Sequence, residues 1–340
     1  MTPTPPLLSI VVPTFNRARF LEEALGELTA QWAALAADDR AAVDVVVVDN
    51  GSEDTTPEVT ARFARAGALR VVRRPVNIGP SNTWRCTEYA EGDFVLIHSD
   101  DDVLLPDGLS TIVTALRSHP DVDALSPNIR DFATELFDGS VAFARSADAR
   151  RSAADLHVEL GSLITYISAL VYRRSLVADL PYEEVYETYL PHSYGFVDIL
   201  SLGTTFLALA RPCIGYRNDN AGPYDYVHVF LDQYFRLLAR AQSRGLPADD
   251  VAEIRRAHLR RHVVPMLVRV KAQGAFGEAF VDWPAARRRL REHYSGSDRA
   301  LCELLALLTR TPAPVVRGVL AARKALRPRG SEPVAAREHP

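Results

Sequence analysis

Phe94-Val95-Leu96-Ile97-His98-Ser99-Asp100-Asp101-Asp102 joins a short apolar run to three consecutive carboxylates. An unbroken run of Phe, Val, Leu and Ile is the pattern of a strand covered on both faces. The acids then stand at its carboxyl end, the side on which open α/β sheets bind ligands. Adjacent carboxylates repel one another unless a cation or the donors of a ligand join them. A solvated acidic turn is the plain alternative, and the upstream sequence weighs against it.

Three more stretches repeat the arrangement. Leu8-Ser9-Ile10-Val11-Val12 runs into Pro13-Thr14-Phe15-Asn16-Arg17, and Val43-Asp44-Val45-Val46-Val47-Val48 into Asp49-Asn50-Gly51-Ser52. Leu69-Arg70-Val71-Val72 is followed by Asn77-Ile78-Gly79. Helical patterns separate these runs, which predicts a doubly wound, mostly parallel α/β sheet with flanking helices. All four loops would then face one crevice. A divalent metal carrying a sugar-nucleotide diphosphate suits acids placed there.

These motifs, in this order, resemble the family 2 glycosyltransferases with the GT-A fold. The carrying residues are Ser9 to Arg17, Val47 to Ser52, Asn77-Ile78-Gly79, and Gly92-Asp93-Phe94 through Asp102-Val103-Leu104-Leu105-Pro106. The resemblance is good over roughly the first 120 residues and weaker to about residue 230. Its middle segment is most similar to abequosyltransferase-type enzymes, which move deoxy sugars onto bacterial surface glycans. The resemblance implies inverting, metal-dependent transfer of a (deoxy)hexose from a nucleotide sugar, with Mg²⁺ or Mn²⁺ as cofactor. The acceptor would be a hydroxyl of a glycan, a lipid-linked sugar or a small natural product.

It also implies roles for the loops. Pro13 and Thr14 would line the base pocket and Asp49 would contact the base. Asn16 and Arg17 precede a helix with the stripe Phe20, Leu21, Leu25 and Leu28, whose N-terminus suits phosphate. Asn50-Gly51-Ser52 can form its turn unaided. Asn77 and Gly79 lead into a short helix at 81–90 and would touch the donor. The family's Arg-Asn pair is Thr83-Trp84 here, which leaves the diphosphate contact open among Arg73, Arg74 and Arg85. Trp84 reads first as a packing residue. Thr55-Thr56-Pro57-Glu58 reads as a capping box.

Counting back from Pro106, the first acid of the family's Asp-x-Asp-Asp pattern becomes Ser99. The metal-ligand role passes to Asp101, with Asp100 at the ribose or behind the ligand. Asp102 would touch the donor sugar or metal, or cap a helix at 106–118. His98 reads as packed. His228 is a second candidate for the metal or diphosphate.

An inverting transfer needs a base to take the acceptor hydroxyl proton. In the family this is an acid at a helix start, and the usual Glu-Asp pair is Val197-Asp198 here. Asp198 is therefore the first candidate, His192 the second and Glu187 the third. A lone Asp at a helix start also serves as a cap. Residues 163–172 read as a strand closed by Arg173-Arg174, with Tyr166 and Ser168 available to line the acceptor side. Tyr182, Tyr186, Tyr189 and Tyr194 could stack on sugars or simply pack.

At 340 residues and 47% hydrophobic, the chain can bury a full core. The expected division is a catalytic domain at 1–225, with a nucleotide-sugar half (1–120) and an acceptor half (121–225). A helical region at 226–330 and a disordered tail at 331–340 follow. Residues 251–340 hold 18 Lys/Arg against 8 Asp/Glu, while the chain as a whole is −4. The basic helices, with Arg255-Arg256, Arg260-Arg261 and Arg287-Arg288-Arg289, could meet anionic lipid, an acidic acceptor or solvent. No nucleic-acid module accompanies that charge. Cys86, Cys213 and Cys302 form no CxxC pair and read as buried thiols. The N-terminus lacks a signal-peptide pattern and no run reaches membrane-spanning length. A cytoplasmic protein is expected, with peripheral contact at the inner face of the membrane as an option. A catalytically dead scaffold and a sugar nucleotidyltransferase are the alternatives. The latter normally opens with a Gly-rich loop and Lys, which are missing after the first strand.

Overall fold

The structure is a computed structural model that describes residues 5–132, 141–217, 224–273, 280–294, 298–308 and 310–318. The expected tail at 331–340 lies outside the described residues. The chain begins β1 (Leu8–Thr14), α1 (Ala18–Ala34), α2 (Ala37–Ala41), β2 (Val43–Asp49), α3 (Thr56–Arg65), β3 (Arg70–Arg73), α4 (Asn82–Arg85) and β4 (Phe94–Ile97). It continues β5 (Val103–Leu104), α5 (Gly108–Ser118), β6 (Ala124–Phe132), β7 (Ala149–Arg151), α6 (Ala153–Leu160), β8 (Val171–Arg173), α7 (Pro191–Leu202) and β9 (Phe206–Arg217). Helices α8 (Tyr234–Ser243), α9 (Ala248–His258), α10 (Val264–Gln273), α11 (Trp283–His293) and α12 (Arg299–Leu308) complete it.

The strands form one sheet in the order β3-β2-β1-β4-β8-β6-β9-β5, with β7 also on β9. Strands β3, β2, β1 and β4 are mutually parallel. β8 runs antiparallel to both β4 and β6. β1, β2 and β4 are buried almost throughout, as their continuous Val/Ile/Leu runs require. β3 is the edge, and its Arg70 and Arg73 keep that edge charged. α1 buries Leu21, Ala24, Leu25 and Leu28, one stripe of a 3.6-residue period.

Three local expectations change. Residues 163–172 are not one strand: Gly161–Thr165 is a 3-10 turn, and only Val171–Arg173 joins the sheet. Gly161, at φ 51°, starts that turn, and the Thr165 hydroxyl closes it on the Ser162 carbonyl at 2.8 Å. The Thr55 side chain does not cap α3; Asp54 Oδ1 accepts from the Thr56 N–H at 2.9 Å instead. The helix expected at 106–118 begins at Gly108, after Asp107 in the left-handed region.

The main apolar core runs past residue 225 as far as Ile254 on α9. A second cluster joins Tyr226, Leu231, Leu259, Val263, Leu290 and Leu305. Two π-helical turns, His228–Gln233 and Leu259–Val263, supply Leu231, Leu259 and Val263 to it. They lie together: His258 Nε2 donates to the Phe230 carbonyl at 2.8 Å. Cys86, Cys213 and Cys302 are buried free thiols. Among the described residues no helix is long and apolar enough to cross a membrane.

Candidate active site

The carboxyl ends of β1 and β4 bring Arg17 to the acidic triplet. Arg17 lies 2.8 Å from Asp101 Oδ2 and 3.4 Å from Asp100 Oδ1. Where the family has its first acid, the Ser99 hydroxyl donates to Asp101 Oδ1 at 2.5 Å. That replacement supplies a donor instead of a further negative charge. Burial raises the Asp100 carboxyl to about 7, against Arg17 and reinforced by Asp101. Asp102 is pushed up to about 8 by burial and then by Asp101. It accepts from the Tyr166 hydroxyl at 2.5 Å and the Ser168 hydroxyl at 2.9 Å. Asp102 therefore points inward as the anchor of the 166–168 segment, not toward a donor sugar and not as a helix cap. This also explains the broken strand, because Tyr166 and Ser168 must both turn to one carboxylate.

Two cavities open onto this cluster. One, of about 260 Å³, is lined by Pro13, Thr14, Arg17, Gly79, Thr83 and Asp100, among others. The other, of about 340 Å³, is lined by Arg17, Thr83, Asp101, Tyr166, His192 and Arg217, among others. Arg17, Thr83, Ser99 and Ile167 belong to both, so the two form one crevice.

Other expected contacts hold the loops instead. Asn16, at φ 53°, accepts the Glu53 N–H at 2.8 Å through Oδ1, and its own N–H donates to Ser52 Oγ. Its side chain ties the β1 turn to the β2 turn rather than facing a ligand. Asn77 Oδ1 accepts from Asn50 Nδ2 and the Gly79 N–H, both at 2.7 Å, which shapes the turn that places Gly79. Asp49 Oδ1 accepts from the Ser52 N–H at 2.9 Å. Its buried Oδ2 has no hydrogen bond and faces Arg73 at 3.4 Å. Arg73, Arg74 and Arg85 bond to Ser52, Asn82 and Glu88, and none lines the crevice.

His192 reaches the crevice because α7 starts with Pro191. Its Nε2 donates to the Thr165 carbonyl at 2.9 Å, and its Nδ1 lies 3.2 Å from the Thr83 hydroxyl. A carbonyl only accepts, so the neutral ring carries its proton on Nε2 and a lone pair on Nδ1. Burial pushes this imidazole down to about 4, so it is neutral near pH 7. Trp84 sets the approach of α4 to α7. It packs among Tyr172, Tyr182 and Phe196, and its indole occupies the space that a Cβ on Gly195 would need. Trp84 is thus a packing residue.

Asp198 is not at a helix start and does not reach the crevice. It lies within α7, fully buried, with Arg240 at 2.7 Å and Arg244 at 3.1 Å. A carboxylate so held joins α7 to α8, and it lines neither cavity of the crevice. His228 does not line the cavity that holds Asp101. It lines an adjoining one with Tyr189, Asp225, Asp232 and Arg289, which shares Tyr189 and Tyr224 with the crevice, and its Nε2 bonds with Gln233 Nε2 at 2.9 Å. His98 is buried behind the acids, with Nδ1 on the Ser99 carbonyl.

Sequence reasoning missed Arg217. It ends β9, donates from Nε to the Asp101 carbonyl at 3.1 Å, and sends its backbone N–H to Asp102 at 3.3 Å. It also missed Thr83 and Thr165 as the partners of His192. Among the described residues no three His, Cys, Asp or Glu side chains cluster as a self-sufficient metal cage. A Mg²⁺-type ion shared with substrate phosphates needs only one or two protein carboxylates. Asp101 and Asp100 supply that number and lie side by side against Arg17. These residues fit such an ion.

A crevice at the carboxyl ends of parallel strands, lined by acids and a neutral histidine, defines a ligand-binding α/β enzyme site. The sequence pattern of Glycosyl transferase family 2 matches residues 9–180, and the chain belongs to that family. It is a glycosyltransferase by that membership. The chain is 24% identical over 232 residues to the abequosyltransferase RfbV of Salmonella typhimurium, covering 63% of this chain and 67% of that protein. Over 58 residues it is 48% identical to the validoxylamine A glucosyltransferase of Streptomyces hygroscopicus, 17% of this chain and 13% of that one. Among solved structures, S. aureus TarS 1-349 in complex with UDP-GlcNAc superposes with a TM-score of 0.62 at 17% identity, covering 93% of this chain and 92% of that one. A mannosyltransferase from Pyrobaculum calidifontis, in complex with GDP-Man and Mn²⁺, gives 0.51 at 18% identity, covering 94% and 88%. The fold is GT-A.

Proposed function

We propose that the chain transfers a hexose or deoxyhexose from a nucleotide diphosphate sugar to an acceptor hydroxyl, with inversion. The carrying observation is that Arg17, Asp101 and His192 line one cavity. Pro13, Thr14 and Gly79 would face the nucleotide, with Asp49 behind them at the base. Arg17 and Arg217 replace the missing family contact as the cations nearest the diphosphate. Asp101, with Asp100, would hold Mg²⁺ or Mn²⁺, which when bound neutralises charge on the leaving diphosphate.

His192 is the base in this reading. The Thr83 hydroxyl has one hydrogen and two acceptors, His192 Nδ1 at 3.2 Å and the Pro80 carbonyl at 2.9 Å. When it turns to Pro80, Nδ1 is released to an acceptor hydroxyl. The hydroxyl oxygen attacks the anomeric carbon, the bond to the diphosphate breaks, and the proton passes to Nδ1. The Thr165 carbonyl then steadies the imidazolium through Nε2–H.

The donor class is favoured by the relatives, since the TarS structure holds UDP-GlcNAc and the Pyrobaculum enzyme GDP-Man. Family membership sets aside the nucleotidyltransferase alternative. Peripheral membrane contact rests less on the arginines than their number implies. Arg289 pairs with Asp232, and Arg291 with Glu303. Exposed Leu304 and Leu307 on α12 carry that proposal instead.

Thermal shifts with nucleotide sugars, with and without Mn²⁺, combined with donor hydrolysis, test the function. Stabilisation grows with ln(1 + [L]/Kd), so one base should stand out, with turnover. Binding without turnover would favour the dead-scaffold reading. No stabilisation by any nucleotide would refute both.

A further inference from the structure

We propose that a cavity beside the crevice holds the apolar aglycone of the glycosyl acceptor. It is about 460 Å³, between α6, the 161–165 turn and α10. The inference rests on His192 marking the acceptor end of the active site.

Three observations carry it. First, the cavity continues the crevice. Ser162, Leu163, Tyr216 and His262 line both, so they form the neck between them. Second, one short segment serves both ends. Thr165 holds His192 through its carbonyl, while Ser162 and Leu163 of the same 3-10 turn line the neck. A ligand whose hydroxyl meets His192 is therefore led along this turn into the second cavity. Third, the opposite wall comes from an irregularity of the helical region. The π turn Leu259–Val263 carries His262, whose ring stacks near Phe230 at 4.6 Å and Tyr226 at 5.8 Å. Such insertions recur at functional sites, where an extra residue re-aims a side chain.

The lining names the ligand class. Val158 and Leu160 come from α6, Pro265 and Met266 from α10, and Phe143 from the loop before β7. These are hydrocarbon surfaces. A second sugar ring needs paired donors and acceptors along its edge, or it loses hydrogen bonds to water without replacement. An alkyl or prenyl-like aglycone loses none and gains by burial. Four charged residues also line the cavity, Asp131, Glu159, Arg261 and Arg269. Glu159 is paired with Arg145 and Arg151, Asp131 and Arg269 have partners of their own, and Arg261 and Arg269 are exposed to solvent.

The test uses the full chain and two probes: n-octyl β-D-glucoside below its micelle-forming concentration, and methyl β-D-glucoside. Binding is read by saturation-transfer NMR titration. The octyl glycoside should bind at least tenfold tighter, a ratio that burying about two methylenes already reaches. Met266→Trp, which fills the cavity from α10, should erase that preference without changing the melting temperature. Val158→Gln, from the facing wall, should do the same and serves if the first variant fails to fold. Equal binding of both probes would overturn the proposal. So would a preference that survives both variants and disappears with Leu304→Gln/Leu307→Gln, because the alkyl chain would then sit on α12. Thermal stabilisation by nucleotides on the same samples reports the donor reading separately. Its absence would refute that reading while leaving the octyl comparison to decide the cavity.

Discussion

Two acid–arginine centres in this molecule are built in opposite proportions. In the crevice, two of three consecutive carboxylates, Asp100 and Asp101, face the guanidinium of Arg17, Asp102 is turned inward, and the site opens onto two cavities. Between α7 and α8, one carboxylate, Asp198, faces both Arg240 and Arg244 and is sealed from solvent. Excess negative charge beside open space leaves work for a cation or for ligand donors. A closed centre whose carboxylate is already doubly paired leaves none, and breaking it exposes buried charge. The same residue types thus mark chemistry in one place and attachment of a helix in the other. Charge balance and access separate them, and neither is written in a motif.

The largest expected effect falls on the histidine between these centres. His192→Gln keeps a hydrogen-bonding side chain but cannot accept the proton, so kcat should fall about 10²–10⁴-fold. Nucleotide Kd should hardly move. A variant with normal kcat would return the base role to another group. Glu187, the third candidate, would be next to test.

Gly195→Ala sharpens the comparison by disturbing the crevice from the packed side. Its methyl would enter the space of the Trp84 indole. Overpacking of this kind costs about 1–3 kcal/mol, which urea unfolding would register. Because Trp84 neighbours Thr83, kcat should fall too. Lost stability with unchanged kcat would mean that the Thr83–His192 contact is not needed.

The smallest effect is a pH slope. His98, His157 and His192 are buried, and burial lowers each to about 4. In the unfolded chain each titrates near 6.5. Between these values the unfolded state binds more protons, so stability rises with pH from about 4 to 6.5 and is lost as pH falls. His258 and His262 are lowered in the same way and add to this slope, while Asp100 and Asp102, raised by burial, oppose it. His157→Gln should remove about one of the protons taken up on unfolding near pH 5, and an unchanged uptake would mean that this imidazole is not buried as described.

Much of this was legible in the chain. β1, β2 and β4 were readable because strands covered on both faces need unbroken Val, Ile and Leu. The turns after them were readable because Asn, Gly and Pro have few backbone alternatives. Which side chains of those turns face the ligand was not. Asn16 and Asn77 have the chemistry of ligand contacts, and their distant partners, Glu53 and Asn50, claim them first. Residues 163–172 misled because an apolar run cannot announce that two of its members will bond to Asp102. The base was sought by residue type, which favoured Asp198. Pro191 was the better signal: a proline at the first helical position puts His192 in the first turn. Arg217 carried no local signal, since only the pairing of β9 with β6 and β5 brings its end to the acids.

The most direct test sets one acid from each centre side by side. Asp101→Asn and Asp198→Asn make the same chemical change, and both donor turnover and the urea midpoint are measured for each. Asp101→Asn should lose turnover by about 10²–10³-fold, as when one transition-state-stabilising group is removed, with its midpoint unchanged. Asp198→Asn should keep turnover near normal and lose about 1–3 kcal/mol, the cost of leaving buried partners under-satisfied. The reverse pattern, with turnover lost at Asp198 and stability lost at Asp101, would contradict the account.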